Sequence, residues 1–233
     1  MLDWKLSSAA SARDARASKE VKRTMQSPFS IHNLYRNPFG ELTRAERAEL
    51  AVVEDMDAWL AALTDSRTAI QFFGDCGFGK TTHLLAIEKR LASAAYVYYP
   101  ETGRRPVLPR QRPLLVDEAN RMGWRQHLQL LRGAGPIVIG THVDYSWRLR
   151  RAGFCVLNVN VEQPKEPALL AKILNRRVEA SRVDEGLPIP LIDEEFAEQL
   201  LKQLGSNLRR IEHFLYERFQ LCISEQSPWP PAI

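Results

Sequence analysis

Gly74-Asp75-Cys76-Gly77-Phe78-Gly79-Lys80-Thr81 fits the pattern G-x-x-x-x-G-K-[ST], and its flanks decide what the pattern means. Before it, Ala69-Ile70-Gln71-Phe72-Phe73 reads as a short buried strand; after it, Thr82 to Leu91 reads as a helix. A glycine-rich turn between a strand and a helix is a phosphate site. Glycines at 74, 77 and 79 let successive N–H groups turn inward, where a Cβ would block close approach. Lys80 adds a cation with the reach to meet β- and γ-phosphates, Thr81 a hydroxyl for Mg2+, and the following helix its positive N-terminal end. The expected nucleotide contacts are therefore Gly74, Asp75, Cys76, Gly77, Phe78, Gly79, Lys80, Thr81 and Thr82.

A second anchor lies downstream. Pro113-Leu114-Leu115-Val116-Asp117-Glu118 is an apolar strand ending in two carboxylates. Beside a phosphate loop, Asp117 is expected to hold the hydrated Mg2+ and Glu118 to polarise the attacking water. Pro136 to Asp144 is another buried strand, with Thr141 and His142 at its carboxyl end, where open parallel sheets place their ligands. Either side chain is therefore a candidate to meet the γ-phosphate or the lytic water.

Ala94 to Tyr99 and Phe154 to Val159 complete five strands that alternate with helical segments, which predicts a parallel sheet. The expected fold is α/β, a three-layer sandwich around a mostly parallel five-stranded sheet, with a small C-terminal helical lid. Ahead of the core, Thr43-Arg44-Ala45-Glu46 is a capping box opening a helix that runs to about Thr64, its buried stripe being Leu50, Val53, Met56, Leu60 and Leu63. A helix is expected over Arg121 to Leu131. Another, from Tyr145 to Arg151, carries Arg148, Arg150 and Arg151, which have the reach to stabilise phosphoryl-transfer charge in a neighbouring subunit. Beyond Glu166 the chain reads as helical. Asp193 caps a helix bearing Phe196, Leu200, Leu201 and Leu204, Gly205-Ser206-Asn207 interrupts it, and a last helix follows. Arg209 and Arg210 fall in that helix's first turn, where cations oppose the dipole and so point to an anionic ligand. The domains expected are a basic, flexible tail (1–34), the nucleotide-binding core (35–162), a lid-like helical segment (163–226) and a short tail (227–233).

Composition narrows the setting. At 233 residues with 45% hydrophobic content the chain can bury a core, and its net charge of +4 permits a nucleic-acid partner without demanding one. Cys76, Cys155 and Cys222 are too scattered for a zinc site or a disulfide framework, which points to a reducing, cytoplasmic location. Cys76 reads as a small side chain filling the loop. No stretch has the length and apolarity of a membrane span, and the N-terminus lacks the apolar core of a secretory signal. The first 30 residues read as a solvated tail; their six cations offer DNA a basic arm as the lesser reading.

Taken in order, the phosphate loop, the Asp117-Glu118 pair, the polar strand tip at Thr141 and the segment Gly205-Ser206-Asn207-Leu208-Arg209 resemble AAA+ ATPases. The Asn37-Pro38-Phe39 turn resembles the entry segment of the ExeA-type secretion and TniB-type transposition ATPases. The resemblance implies ATP and Mg2+ as ligands and hydrolysis to ADP and phosphate. It makes Lys80 and Thr81 phosphate and Mg2+ ligands, Asp117 a metal ligand, Glu118 the base, Thr141 sensor 1 and Arg209 sensor 2. It further implies a lid that couples nucleotide state to a protein partner, and it permits a homo-oligomer. Only 36 residues separate Lys80 from Asp117, so this is an abbreviated form. Two other readings stand beside it. Thr141-His142-Val143-Asp144 resembles the guanine-selecting segment of Roco-type GTPases, although Asp117 lacks the glycine of D-x-x-G. The other is an ATP-gated scaffold that hardly hydrolyses, which Glu118 disfavours.

Overall fold

The computed structural model describes residues 27–225 and Trp229, and its backbone contacts divide them into two compact units. The larger comprises Glu41–Glu166 with Leu201–Ile211. Its strands are β1 (Thr68–Phe73), β2 (Ala95–Tyr98), β3 (Leu114–Asp117), β4 (Ile137–Thr141) and β5 (Cys155–Asn160). They form one sheet in the order β2-β3-β4-β1-β5, and every pair is parallel.

Side chains alternate across that sheet and feed two cores. Ala69, Leu114, Val116, Ile137 and Ile139 go to one face, where they meet Leu130 of α4 (Trp124–Arg132) and Leu149 of α5 (Ser146–Arg151). Ile70, Phe72, Leu115 and Val138 go to the other, against Leu84 and Ile87 of α3 (Lys80–Arg90). Burial on both faces is why these strands read as continuous apolar runs with no polar alternation. The expected three-layer α/β fold with a P-loop NTPase-like sheet is the one formed. Register then positions the site: Phe73 pairs with Thr141, so the loop leaving β1 begins beside the tip of β4.

The capping box forms as expected, Thr43 Oγ1 accepting from Glu46 N and Glu46 Oε2 accepting from Thr43 N. The single long helix does not. The chain makes α1 (Arg44–Glu49), leaves helical geometry, and restarts as α2 (Met56–Ala62). Between them lie Val52-Val53, whose branched Cβ disfavours a helix, and Asp55, a residue suited to an N-terminal boundary. The anchor of α2 is Trp59, 4.9 Å from the Phe72 ring and 5.6 Å from that of His83. Likewise the helix expected from Arg121 is split. Ala119–Arg121 is a 3-10 turn, and α4 starts after Gly123, whose N–H is taken by Gln126 Oε1.

The smaller unit comprises the described residues up to Gly40, Pro167–Leu200 and those from Glu212 on. It contains α6 (Pro167–Glu179), most of α7 (Glu194–Leu204) and the larger part of α8 (Leu208–Glu225). Leu34, Leu170, Leu174, Leu215 and Phe219 are fully buried in it. Arg177, 5% exposed, donates to the carbonyls of Pro38 and Gly40 and pairs with Glu212. Asn37 accepts from Phe39 N and donates to Tyr216 O, so the Asn-Pro-Phe turn is pinned from both sides. Residues at both ends that the sequence reading gave to tails are ordered here. Pro28–His32 is a 3-10 helix, Leu34 is core, and Trp229 stacks on Phe39 and edges Phe219. Residues 1–26, including most of the basic arm, lie outside the described residues. Among the described residues no helix is long and apolar enough to cross a membrane.

Candidate functional site

The loop after β1 is closed on itself by the residue that gives the motif its charge. Lys80 Nζ donates to Gly74 O at 2.6 Å and to Asp75 O at 2.8 Å, and the side chain is almost fully buried. Burial lowers its pKa, opposed by the charges of Glu118, Cys76, Asp117 and Asp75. One turn into α3, His83 lies between Trp59 and Phe72 with Nδ1 2.8 Å from Gly79 O. Burial depresses its pKa, so a neutral ring donates Nδ1–H to that carbonyl and fixes the far end of the loop.

Two elements that the motif does not mention also touch the loop. Glu162, just past β5, accepts Asp75 N–H with its carboxylate. Asn207 caps α8, its Oδ1 accepting Arg210 N, while its Nδ2 donates to Cys76 O at 3.0 Å. Arg209 N donates to Gly77 O at 3.2 Å. Gly77 has φ 91°, and a Cβ there would stand 2.3 Å from Asn207 Oδ1, so this glycine serves both the turn and the approach of α8. The Arg209 side chain is exposed at that point.

At the end of β3, Asp117 is completely buried. Tyr96 O–H donates to its Oδ2 at 2.8 Å and Glu118 N to its Oδ1 at 3.1 Å. Burial, then the charge of Asp117, holds the Tyr96 pKa far above its ordinary value, so the phenol stays a donor and fixes the carboxylate plane. Gly140 on β4 leaves room for it: a Cβ there would stand 2.9 Å from Asp117 Oδ1 and 3.3 Å from Leu84 Cδ1. Gly140→Ala is therefore expected to displace the Asp117 carboxylate and to lower stability by roughly 1–3 kcal/mol through overpacking. Thermal melting of the variant beside the parent reads this directly; an unchanged melting temperature would show that the carboxylate moves aside without cost.

Glu118 adopts φ 57°, ψ 44°, a left-handed conformation uncommon outside glycine and concentrated at functional positions. Its side chain is 12% exposed, and Oε2 lies 3.3 Å from His142 Nε2 and 3.5 Å from Arg121 Nε. Neither approach has hydrogen-bond geometry, which leaves a buried carboxylate oxygen with unused acceptor capacity. His142 also faces the loop, Nε2 being 3.7 Å from Cys76 Sγ and Nδ1 4.0 Å from Asp75 Oδ1. Cys76 is exposed rather than filling the loop. Thr141, in contrast, is fully buried, and its hydroxyl bonds the N–H and C=O of Val143. At the tip of β4 it is His142 that presents its side chain to Glu118.

Asp144 turns away from this cluster. Its Oδ1 accepts from Gln71 Nε2 and Ser146 N, both at 2.7 Å, and its Oδ2 from Asn158. These bonds, led by those from Ser146, hold its pKa below the ordinary carboxylate value. Among the described residues no group of three or more His, Cys, Asp or Glu forms a metal cluster. Asp117 and the Thr81 hydroxyl at the second residue of α3 are oxygen donors, a set that fits Mg2+, which keeps much of its water and takes substrate oxygens.

No family model matches the chain, and no curated protein matches it. Solved structures do. A point variant of Thermotoga maritima RuvB superposes with a TM-score of 0.53 at 17% identity, covering 77% of this chain and 65% of that one. The fold is shared with RuvB. A second RuvB variant gives 0.51 at 15% identity over 81% of this chain and 65% of that one. NtrX from Brucella abortus in complex with ADP matches at 0.43 and 13% identity over 93% of this chain and 57% of that one. The chain spans about two thirds of the length of RuvB.

Proposed function

We propose that this chain is an AAA+-type ATPase that binds ATP with Mg2+ and hydrolyses it to ADP and phosphate. The observation that carries the proposal is the convergence of four side chains at the carboxyl ends of three strands: Lys80 after β1, Asp117 and Glu118 at β3, and His142 at β4. Loop N–H groups and Lys80 hold the β- and γ-phosphates; binding exchanges the Lys80 bonds to Gly74 O and Asp75 O for phosphate oxygens. Mg2+ held through Asp117 and Thr81 neutralises phosphate charge. Glu118 orients the attacking water and accepts its proton, and His142 beside it senses the γ-phosphate. Arg209 contacts the phosphates from the first turn of α8, a role supported by its exposure and by its N–H bond to Gly77 O. Because Asn207 and Arg209 bond the loop, and α8 continues into the smaller unit, nucleotide state has a covalent path to a protein partner. Three cysteines scattered along the chain suit a cytoplasmic setting.

The guanine reading needs an uncommitted Asp144 carboxylate, and both of its oxygens are engaged by Gln71, Ser146 and Asn158. Titration of fluorescent ATP and GTP in Mg2+ tests the proposal. ATP is expected to bind at least about tenfold more tightly, and Asp144→Ala is expected to lower thermal stability without altering the preference. GTP selectivity abolished by Asp144→Ala would replace ATPase with GTPase.

A further inference from the structure

Charge in this chain is unevenly placed. Residues 102–151 hold ten arginines, no lysine and three acidic residues, whereas the whole chain has an excess of only +4. The three acids do not offset the arginines: Asp117 and Glu118 belong to the nucleotide site, and Asp144 is held by Gln71, Ser146 and Asn158. Arg104, Arg110, Arg125, Arg132, Arg148, Arg150 and Arg151 are exposed, and among the described residues none of them has an acidic partner.

The sequence scatters these arginines, but the fold gathers them. Gln126 of α4 donates to Pro106 O at 2.8 Å and Arg105 lies against Gly123, which ties the Pro- and Arg-rich connection between β2 and β3, residues 99–113, to the start of α4. His127 of α4 meets Tyr145, the residue capping α5, with ring centroids 5.0 Å apart. The connection, α4 and α5 are thus neighbours on one face of the sheet, packed over the core that holds Leu108, Leu130 and Leu149. Two large apolar rings stand out on this basic surface: Trp124 is 71% and Trp147 69% exposed. Each lies near a guanidinium, Arg125 at 5.3 Å and Arg151 at 5.7 Å. A shallow groove of about 550 Å³ runs along α4 between Trp124, Leu128 and Arg132.

We propose that this face binds single-stranded nucleic acid. Unpaired arginines match a phosphate backbone, and exposed indoles match unstacked bases, a pairing that a duplex with its bases stacked inside does not use. The site is separate from the N-terminal tail and does not depend on the ATPase reading.

The test is fluorescence polarisation of the full chain with a labelled 20-nucleotide oligo-dT, a duplex of equal length and an acidic polyglutamate competitor, over a salt series. The single strand is expected to bind, to outcompete the duplex, and to weaken steeply with salt. Combined Arg104→Ser, Arg125→Ser and Arg132→Ser is expected to reduce the log–log salt slope by about 2, at roughly 0.7 per lost contact on single strands. Trp124→Ala is expected to weaken oligo-dT about tenfold with little change in slope. Trp124 and the three arginines are exposed, so an unchanged melting temperature serves as the folding control. Photocrosslinking the unmodified protein locates the contact without a mutation, with adducts expected within residues 98–151. Absence of oligo-dT binding at low salt, adducts elsewhere, or a triple variant with unaltered slope overturns the proposal. Tighter duplex binding, or equal binding of polyglutamate, overturns the single-strand assignment and leaves a duplex or an acidic protein segment as the occupant.

Discussion

Glu118→Gln is expected to bind ATP within about twofold of the parent and to hydrolyse it about 1000-fold more slowly, within the 10²–10⁴ range of general-base contributions. The substitution preserves shape and polarity, so the nearly buried side chain keeps its place beside His142 and Arg121. What it removes is basicity. Glu118 Oε2 is buried and accepts no hydrogen bond, and an amide at that point can orient a water but cannot take its proton. Arg121 retains Tyr98 Oη, Tyr99 O and Glu101 when the carboxylate charge is lost, which is why binding should survive. Phosphate release under saturating ATP, measured with equilibrium binding on the same samples, separates the two effects. Hydrolysis at the parental rate would show that the proton goes elsewhere, with His142 the next candidate.

How much of this was legible in the sequence depends on the range of the interaction. The strand–loop–helix around Lys80 and the strand ending in Asp117-Glu118 are local patterns, and both formed where they were read. The long helix from Thr43 failed because a 3.6-residue stripe can be shared by two helices in sequence, and the stripe did not register the interruption at Val52-Val53. Partners separated by tens of residues were illegible. Tyr96 reaches Asp117 only because β2 and β3 are adjacent with Tyr98 opposite Asp117, which places residues 96 and 117 on one face. Glu162 and Asn207 reach the phosphate loop through the crossing of the chain. Asn207 gave a half signal, since it read as the break before the last helix; that its amide would grip Cys76 O did not follow. At the tip of β4 the sequence offered Thr141 and His142, and the AAA+ resemblance favoured Thr141 as sensor 1. Strand alternation and the Val143 turn, which the sequence did not reveal, bury the Thr141 hydroxyl and turn the His142 ring toward Glu118.

Lys80→Ala should be the most damaging single change to binding, and for two reasons that can be told apart. On the proposed reading the ammonium is a phosphate ligand, and it is also the donor that holds Gly74 O and Asp75 O in the loop. Charge-assisted hydrogen bonds contribute roughly 1.5–3 kcal/mol each, so losing two to phosphate corresponds to a loss of affinity of at least about 100-fold. The two carbonyls lose their donor at the same time, and Asp117 and Glu118 lose the nearby cation that offsets their mutual repulsion. ATP binding should therefore weaken by at least about 100-fold, and the protein without nucleotide should also melt several degrees lower, by about 1–2 kcal/mol. Lys80→Arg distinguishes the contributions. It keeps the charge near the carboxylates, but its planar fork does not reproduce a point donor between two carbonyls. Melting near the parental temperature with ATP binding still lost would assign the geometry of the loop to the ammonium and the stability of the cluster to its charge. Undiminished ATP affinity in Lys80→Ala would instead dissociate the loop from phosphate altogether.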